Sequence, residues 1–286
     1  MNTIKLKHML QQFFNEDIGD GDLSSETIFT PSEQGSFTFY AKQSGIFCGK
    51  QVIKIGFPLL DNSLQVHVFK EDGEWIEEGE QIAVIEGSLR SLLTGERVIL
   101  NLIQRMSGIA TQAYEAVQLT KDTNAHVCDT RKTIPGLRML DKYAVRAGGA
   151  FNHRSGLYDA IMLKDNHIAF AGSITQAVAS ARSKIGHTVK IEVEIETKEQ
   201  LIEAVNAGAD IIMFDNRTPE EICEWLTLVP AHIATEASGG ITLENLRSYA
   251  ESGIQWISLG ALTHSVQAFD ISALVKPKGV VTNGTH

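Results

Sequence analysis

The stretch VKIEVEIETKEQLIEAVNAGADIIMFD, Val189–Asp215, decides the fold. An apolar-rich run, Val189–Ile195, leads to Thr197 in helix N-cap position. The helical stretch Lys198–Ala207 follows, and then a second apolar run, Ile211–Phe214. Strand, helix and strand of these lengths make one turn of a parallel βα repeat. The unit recurs on both sides. Ala125–Asp129, Ala160–Leu163, Ile233–Ala237 and Trp256–Leu259 read as strands, and Ile174–Ile185, Pro219–Leu228 and Leu243–Glu251 as helices. Thr218 and Thr242 stand in N-cap position and Pro219 at a first helical position. The expected fold class is α/β, with a barrel-like βα domain.

The residues after each strand carry the chemistry. They are Asp129-Thr130-Arg131-Lys132, Lys164-Asp165-Asn166-His167, Glu192 with Glu194, Asp215-Asn216, Ser238-Gly239-Gly240, and Gly260-Ala261-Leu262-Thr263-His264. Barrels of this class build their active sites at the carboxyl ends of the strands. The Ser238-Gly239-Gly240 turn and Gly260 offer backbone N–H groups to a phosphate, the plainer alternative being tight turns that need positive φ. Glu192 and Glu194, two apart on one strand, share a face. Glu194 and Asp215 read as acceptors for ribose hydroxyls and as holders of a Mg²⁺ that meets a pyrophosphate; salt bridges to nearby cations are the alternative.

Charge points the same way. The net charge of −10 excludes a general nucleic-acid or anionic-membrane surface, which needs a basic face. Yet Arg131, Lys132, Arg138, Lys142, Arg146, Arg154 and Lys164 crowd one segment, opposed within it by Asp141 and Asp159. In an acidic protein this reads as a pocket for a small, highly charged anion, with a solvated charge face as the alternative. His153-Arg154 and Thr130-Arg131-Lys132-Thr133 bring guanidinium groups suited to carboxylates and phosphates, and Lys164 emerges from the end of its strand. Zinc ligation by His153 or His167 lacks a second His or Cys at ligand spacing. Cys48, Cys128 and Cys223 are far apart and suggest neither a disulfide framework nor a zinc ribbon. With no apolar stretch long enough for a signal peptide or a membrane span, a cytoplasmic protein is expected.

Ahead of the βα repeat, Leu6, Met9, Leu10 and Phe13 mark a short amphipathic helix, and Glu16–Asp22 a turn-rich loop. Gly35–Gly87 is strand-rich, with runs at Ser36–Ala41, Leu64–Phe69 and Gln81–Glu86; within it Glu71–Glu86 resembles a biotinyl or lipoyl half-barrel without a carrier lysine. Leu92–Lys121 follows the i, i+3, i+4 rhythm of one long or broken helix, with Ser107-Gly108 as the candidate kink.

Three runs together resemble the quinolinate phosphoribosyltransferases, the carboxylating nicotinate-nucleotide pyrophosphorylases. They are Thr130–Thr133, Lys142–Gly149 continuing into Asn152–Leu157, and Lys164–His167. The resemblance spans nearly the whole chain, through Gly95-Glu96-Arg97 to Ser258-Leu259-Gly260. It implies an N-terminal α/β sandwich-like domain over residues 1–108, an incomplete α/β barrel over 109–265, and a tail, 266–286, packing on the first domain. The implied activity joins quinolinate to phosphoribosyl pyrophosphate with loss of CO₂, in a homodimer with shared active sites.

By the same resemblance Arg131, His153, Arg154 and Lys164 bind the quinolinate carboxylates, and Arg97 reaches into the partner's site. Lys132 lies near the pyrophosphate, and Glu194 and Asp215 attend the ribose hydroxyls and Mg²⁺. Ser238, Gly239, Gly240 and Gly260 cradle the 5-phosphate. Lys132, Glu194 and Asp215 are the expected catalytic set. Rival readings are a related pyrophosphorylase-like protein of molybdenum transport and a non-catalytic anion-binding module.

Overall fold

The computed structural model describes residues 1–277. It has two compact units: Met1–Thr111 together with the segment from Val266 onward, and Gln112–Ser265. Residues 278–286 of the expected tail lie outside the described residues.

The first unit opens with helix α1 (Thr3–Ile18), whose Asn2 cap accepts the Lys5 N–H. It buries Leu6, Met9, Leu10 and Phe14; Phe14 rather than the expected Phe13 closes the apolar stripe. After α2 (Leu23–Ile28), β1 (Gln34–Ala41), β2 (Gly45–Ile46), α3 (Lys50–Leu60), β3 (Gln65–Val68), β4 (Trp75–Ile76) and β5 (Gln81–Ser88) follow in order. With β12 (Ile271–Pro277), three of these strands form an antiparallel sheet ordered β12-β1-β5-β3. Phe37 and Phe39 on β1, Ile85 on β5, and Ile53 and Phe57 of α3 are fully buried, with the Phe39 ring 6.1 Å from that of Phe57. β2 and β4 pair separately, and the Asp72 carboxylate accepts the N–H groups of Gly49 and Lys50 at the start of α3.

Helix α4 (Leu89–Thr120) runs 32 residues without interruption. Of the two alternatives, the continuous helix is the one observed, and Ser107 and Gly108 serve packing within it. Ser107 Oγ accepts the Cys48 N–H at 2.9 Å and donates to the Cys48 carbonyl, while a Cβ on Gly108 would sit 2.0 Å from the Gln267 carbonyl oxygen.

The second unit alternates strand and helix. Its strands are β6 (His126–Cys128), β7 (Ile161–Leu163), β8 (Ile191–Ile195), β9 (Ile211–Asp215), β10 (Ala234–Ser238) and β11 (Trp256–Ser258). Its helices are α5 (Arg138–Ala147), α6 (Asp165–Ala171), α7 (Ile174–Arg182), α8 (Lys198–Ala207), α9 (Pro219–Leu226), α10 (Leu246–Glu251) and α11 (Ala261–His264). All six strands are parallel, ordered β6-β11-β10-β9-β8-β7. β6 and β7 remain unjoined edges, so the barrel is incomplete. Ile191, Val193, Ile195, Ile212, Phe214, Ala237 and Ile257 are buried along the sheet.

Thr197 and Thr218 cap their helices in reciprocal pairs with Gln200 and Glu221, and Pro219 occupies the first turn, as expected. Thr242 does not cap. α10 begins four residues later, and the Thr242 N–H is itself taken by the Asn245 side chain at 2.8 Å.

Candidate active site

At the carboxyl ends of the strands lies an open cleft of about 730 Å³. Its lining includes Arg131, Lys132, His153, Arg154, Lys164, Glu194 and Asp215, together with Ser238, Gly239, Gly240 and Gly260. Each was anticipated from the sequence. Arg97, also anticipated, is exposed on α4 in the first unit and is not part of this lining.

The basic segment divides by position. Arg131, Lys132, Arg154 and Lys164 reach the cleft. Lys142 is instead buried against Asp129, Nζ to Oδ1 2.5 Å, and donates to the His153 carbonyl. Arg138 ties loops together through Thr133 Oγ1 and the carbonyls of Ser155 and Arg131. Arg146 lies exposed on α5 beside the Tyr143 ring. The Arg154 guanidinium donates to the Ala160 carbonyl at 3.1 Å and to Met162 Sδ at 3.4 Å. Burial and the Arg131 cation lower its pKa, while Glu192 supports its charge.

Glu194 and Asp215 sit on neighbouring strands. Lys164 Nζ reaches Glu194 Oε2 at 2.5 Å, so the salt bridge given as the alternative is present. It does not exhaust the carboxylates. Asp215 is pushed above the usual range by burial and by Glu194, opposed by Lys164, and a carboxylate crowded by negative charge favours an arriving cation. Oxygen donors of this kind suit Mg²⁺.

Asn216, which sequence reading left without a role, turns left-handed at φ 53°, and its Nδ2 donates to Asp215 Oδ2 at 2.8 Å. Its N–H donates to the Ser238 carbonyl, joining the ends of β9 and β10. A Cβ on Gly239 would lie 2.3 Å from Asn216 Oδ1, and Gly239 and Gly240 have φ of 89° and 64°, so the turn needs glycine for both space and conformation. Gly260 has negative φ; it needs room, because a Cβ would meet Lys132 and His264 at 3.1 Å. His264 also lines the cleft. Its only sequence signal was membership of the run that follows β11.

Below the cleft, His153 Nε2 lies 3.2 Å from Glu192 Oε2 and 3.5 Å from Glu236 Oε2. Among the described residues this trio is the one cluster of His, Cys, Asp or Glu with ligand atoms close enough for a metal, all within 4.8 Å. His167 is elsewhere, its Nδ1 accepting the Lys164 N–H at the head of α6. Burial opposes a charge on His153, but the hydrogen bonds and charges of Glu192 and Glu236 outweigh it and push its pKa up to about 10. Burial, partly offset by His153, raises that of Glu192. However, Nδ1 of His153 accepts the Arg154 N–H at 2.7 Å, which requires a bare lone pair there. Glu192 and Glu236 thus hold a proton on the ring's Nε2.

Comparison with known proteins decides the lineage. Residues 109–274 match the family profile described as quinolinate phosphoribosyl transferase, C-terminal domain, and residues 22–107 match the N-terminal domain. The chain belongs to the quinolinate phosphoribosyltransferase family. It is 57% identical over 273 residues to a probable nicotinate-nucleotide pyrophosphorylase [carboxylating] of Bacillus subtilis, covering 95% of this chain and 94% of that one. A quinolinate phosphoribosyltransferase [decarboxylating] of Nicotiana glauca, described as mitochondrial, is 36% identical, with coverage of 94% and 82%. The crystal structure of NadC from Streptococcus pyogenes superposes with a TM-score of 0.93 at 38% identity, covering 97% of this chain and 98% of that one. This quinolinate phosphoribosyltransferase chain has, among its described residues, no helix long and apolar enough to cross a membrane.

Proposed function

We propose that the cleft transfers the phosphoribosyl group of phosphoribosyl pyrophosphate to quinolinate, releasing pyrophosphate and CO₂ and leaving nicotinate mononucleotide. The observation that carries this reading is the division of one cleft into two chemistries. Arg131 and Lys164 follow β6 and β7, with Arg154 in the loop ahead of β7 reaching back to Met162, while Glu194, Asp215 and the Ser238–Gly240 turn stand at the ends of β8, β9 and β10. A dicarboxylate suits the first group, and a ribose carrying phosphates suits the second. His153 belongs to the same wall as Arg154, and Lys132 and Gly260 flank the phosphate side.

Bond breaking at the ribose carbon leaves oxocarbenium-like positive charge, which the pyridine nitrogen captures with its lone pair. Positioning and electrostatics supply the rate without a side-chain nucleophile. Mg²⁺ carried by the pyrophosphate, held by Asp215 and Glu194, would offset the charge of that leaving group. Once the ring nitrogen is quaternary, the C2–CO₂⁻ bond breaks to give CO₂. Its electron pair stays on C2, stabilised by the adjacent positive nitrogen, and takes a proton from water.

Incubating the protein with Mg²⁺, quinolinate and phosphoribosyl pyrophosphate should yield nicotinate mononucleotide; no product would refute the assignment and favour a binding module. Nicotinate should be a poor substitute, because without the C2 carboxylate it leaves a half-buried cation unpaired. Turnover of nicotinate comparable to that of quinolinate would remove the dicarboxylate reading.

The working form we propose is a homodimer with shared sites, in which Arg97 of each chain serves the other's cleft. Two features support it. Arg97 stands on α4, apart from the strand-end set. Helix α6 buries none of its residues, with Phe170 93% exposed on it and Tyr158 87% exposed before β7, and aromatic side chains this exposed suit a face that a second copy would cover. Free Cys48, Cys128 and Cys223 suit a reducing cytoplasm, and the net charge of −10 argues against nucleic acid as a partner.

A further inference from the structure

Lys132 stands in the run that leaves β6 for the cleft, and its own side chain is exposed. Two bonds lie within that run: Thr130 Oγ1 accepts the Lys132 N–H at 3.0 Å, and the Arg131 carbonyl accepts the Thr133 N–H at 2.9 Å. Two neighbours tie the run down from outside. Arg138 of α5 donates to Thr133 Oγ1 at 3.0 Å and to the Arg131 carbonyl at 3.4 Å. From the other side comes Thr263 of α11, the short helix after β11, which pairs with β6. Thr263 is fully buried, and its Oγ1 donates to the Lys132 carbonyl at 2.8 Å. The Gly260 carbonyl also lies within reach, but at 3.4 Å, and it already accepts the N–H groups of Thr263 and His264, each at 3.1 Å. A hydroxyl has one proton to donate, so the shorter bond to Lys132 takes it. The same turn seats the lysine stem, since Lys132 Cδ lies 3.1 Å from where a Cβ on Gly260 would stand. Lys132 is thus held by α11 at its backbone and along its side chain.

We propose that Thr263 is a positioning residue for the pyrophosphate leaving group: its hydroxyl anchors the Lys132 backbone so that, with the stem lying over Gly260, the ammonium is aimed at the pyrophosphate. On this account, which rests on the phosphoribosyl reading of that side of the cleft, Thr263 acts through Lys132 and touches no substrate. Arg131, one residue earlier, is anchored from α5 and keeps its place without Thr263.

Calorimetric binding of Mg²⁺-pyrophosphate to the whole protein, with steady-state kinetics beside it, tests this. Thr263→Val, which removes the hydroxyl and keeps the branched shape, should weaken pyrophosphate binding and raise KM for phosphoribosyl pyrophosphate about tenfold, leaving KM for quinolinate within about twofold. Thr263→Ser, which keeps the donor, should stay within about twofold of wild type in all three. Unchanged pyrophosphate binding in the valine variant, equal rises in both KM values, or a serine variant as impaired as the valine variant would each overturn the proposal. Lys132→Ala tells this failure apart from failure of the reading beneath it. If Lys132→Ala binds Mg²⁺-pyrophosphate as tightly as wild type, Lys132 does not meet the leaving group and both fall. If that variant binds weakly while Thr263→Val binds normally, the positioning role alone is lost. Should Thr263→Val not fold, Thr263→Ala lacks the same donor in a smaller side chain and is held to the same outcomes.

Discussion

Asp215 and Asn216 act as one device. The left-handed turn at Asn216 brings its amide onto the Asp215 carboxylate while its backbone ties β9 to the glycine turn after β10. Because burial and Glu194 crowd Asp215 with unfavourable charge, its substitution should be felt mainly by a cationic ligand. Asp215→Asn is expected to raise KM for phosphoribosyl pyrophosphate and shift the Mg²⁺ concentration needed, with quinolinate affinity nearly unchanged. Loss of quinolinate binding with an unaltered Mg²⁺ response would reverse the division between the two halves of the cleft. Residues of this kind were legible in the sequence because they stand at strand ends, where a charge has no structural excuse. Glu236 was not. It sits within the run Ile233–Ala237, and nothing local says that Glu192 and His153, 44 and 83 positions earlier, close around it.

Among the elements, those with regular periodicity were readable and those defined by distant partners were not. Thr218 illustrates the first kind. Its Oγ1 accepts the Glu221 N–H and its own N–H donates to Glu221 Oε2, so Thr218→Ala should lower stability by about 1 kcal/mol. A melting temperature unchanged from wild type would mean that α9 is held by packing alone. Helices α3 and α5 went unread, the former because Gly49, Gly56 and Pro58 punctuate it like a loop, the latter because its charged residues looked like site residues until Lys142 was found buried against Asp129. In α4 the sequence left open whether Ser107-Gly108 interrupts the helix, because the partner that explains the glycine is distant. Gly108 is present because the Gln267 carbonyl comes so close, so Gly108→Ala should destabilise the protein by about 1–3 kcal/mol through overpacking. Were the glycine there only to permit bending, the alanine would leave stability equal or improved in chemical denaturation.

At the scale of the whole molecule, a shared site predicts complementation. Arg97→Ala and Arg154→Ala should each be nearly inactive yet folded. When the two are refolded together, about half of the dimers are mixed and each mixed dimer has one intact site of two, so activity should recover to about a quarter of wild type. No recovery, with mixed dimers verified by mass, would confine Arg97 to its own chain or to no site at all. The parallel sheet and the strand-rich character of the first unit were both legible from the spacing of their apolar runs. The pairing of β12 with β1 was not, since an edge strand more than two hundred residues away leaves no mark on the local pattern.

That pairing also orders events in time. On the ribosome, β1 is among the first strands made, yet its neighbour Ile271–Pro277 is synthesised only after every strand of the parallel sheet. Until that strand emerges, β1 has β5 on one side and an open edge on the other, the kind of edge that invites misassociation. Closure of the antiparallel sheet therefore waits for a strand that is read after all of the parallel sheet, although β1 is read before it.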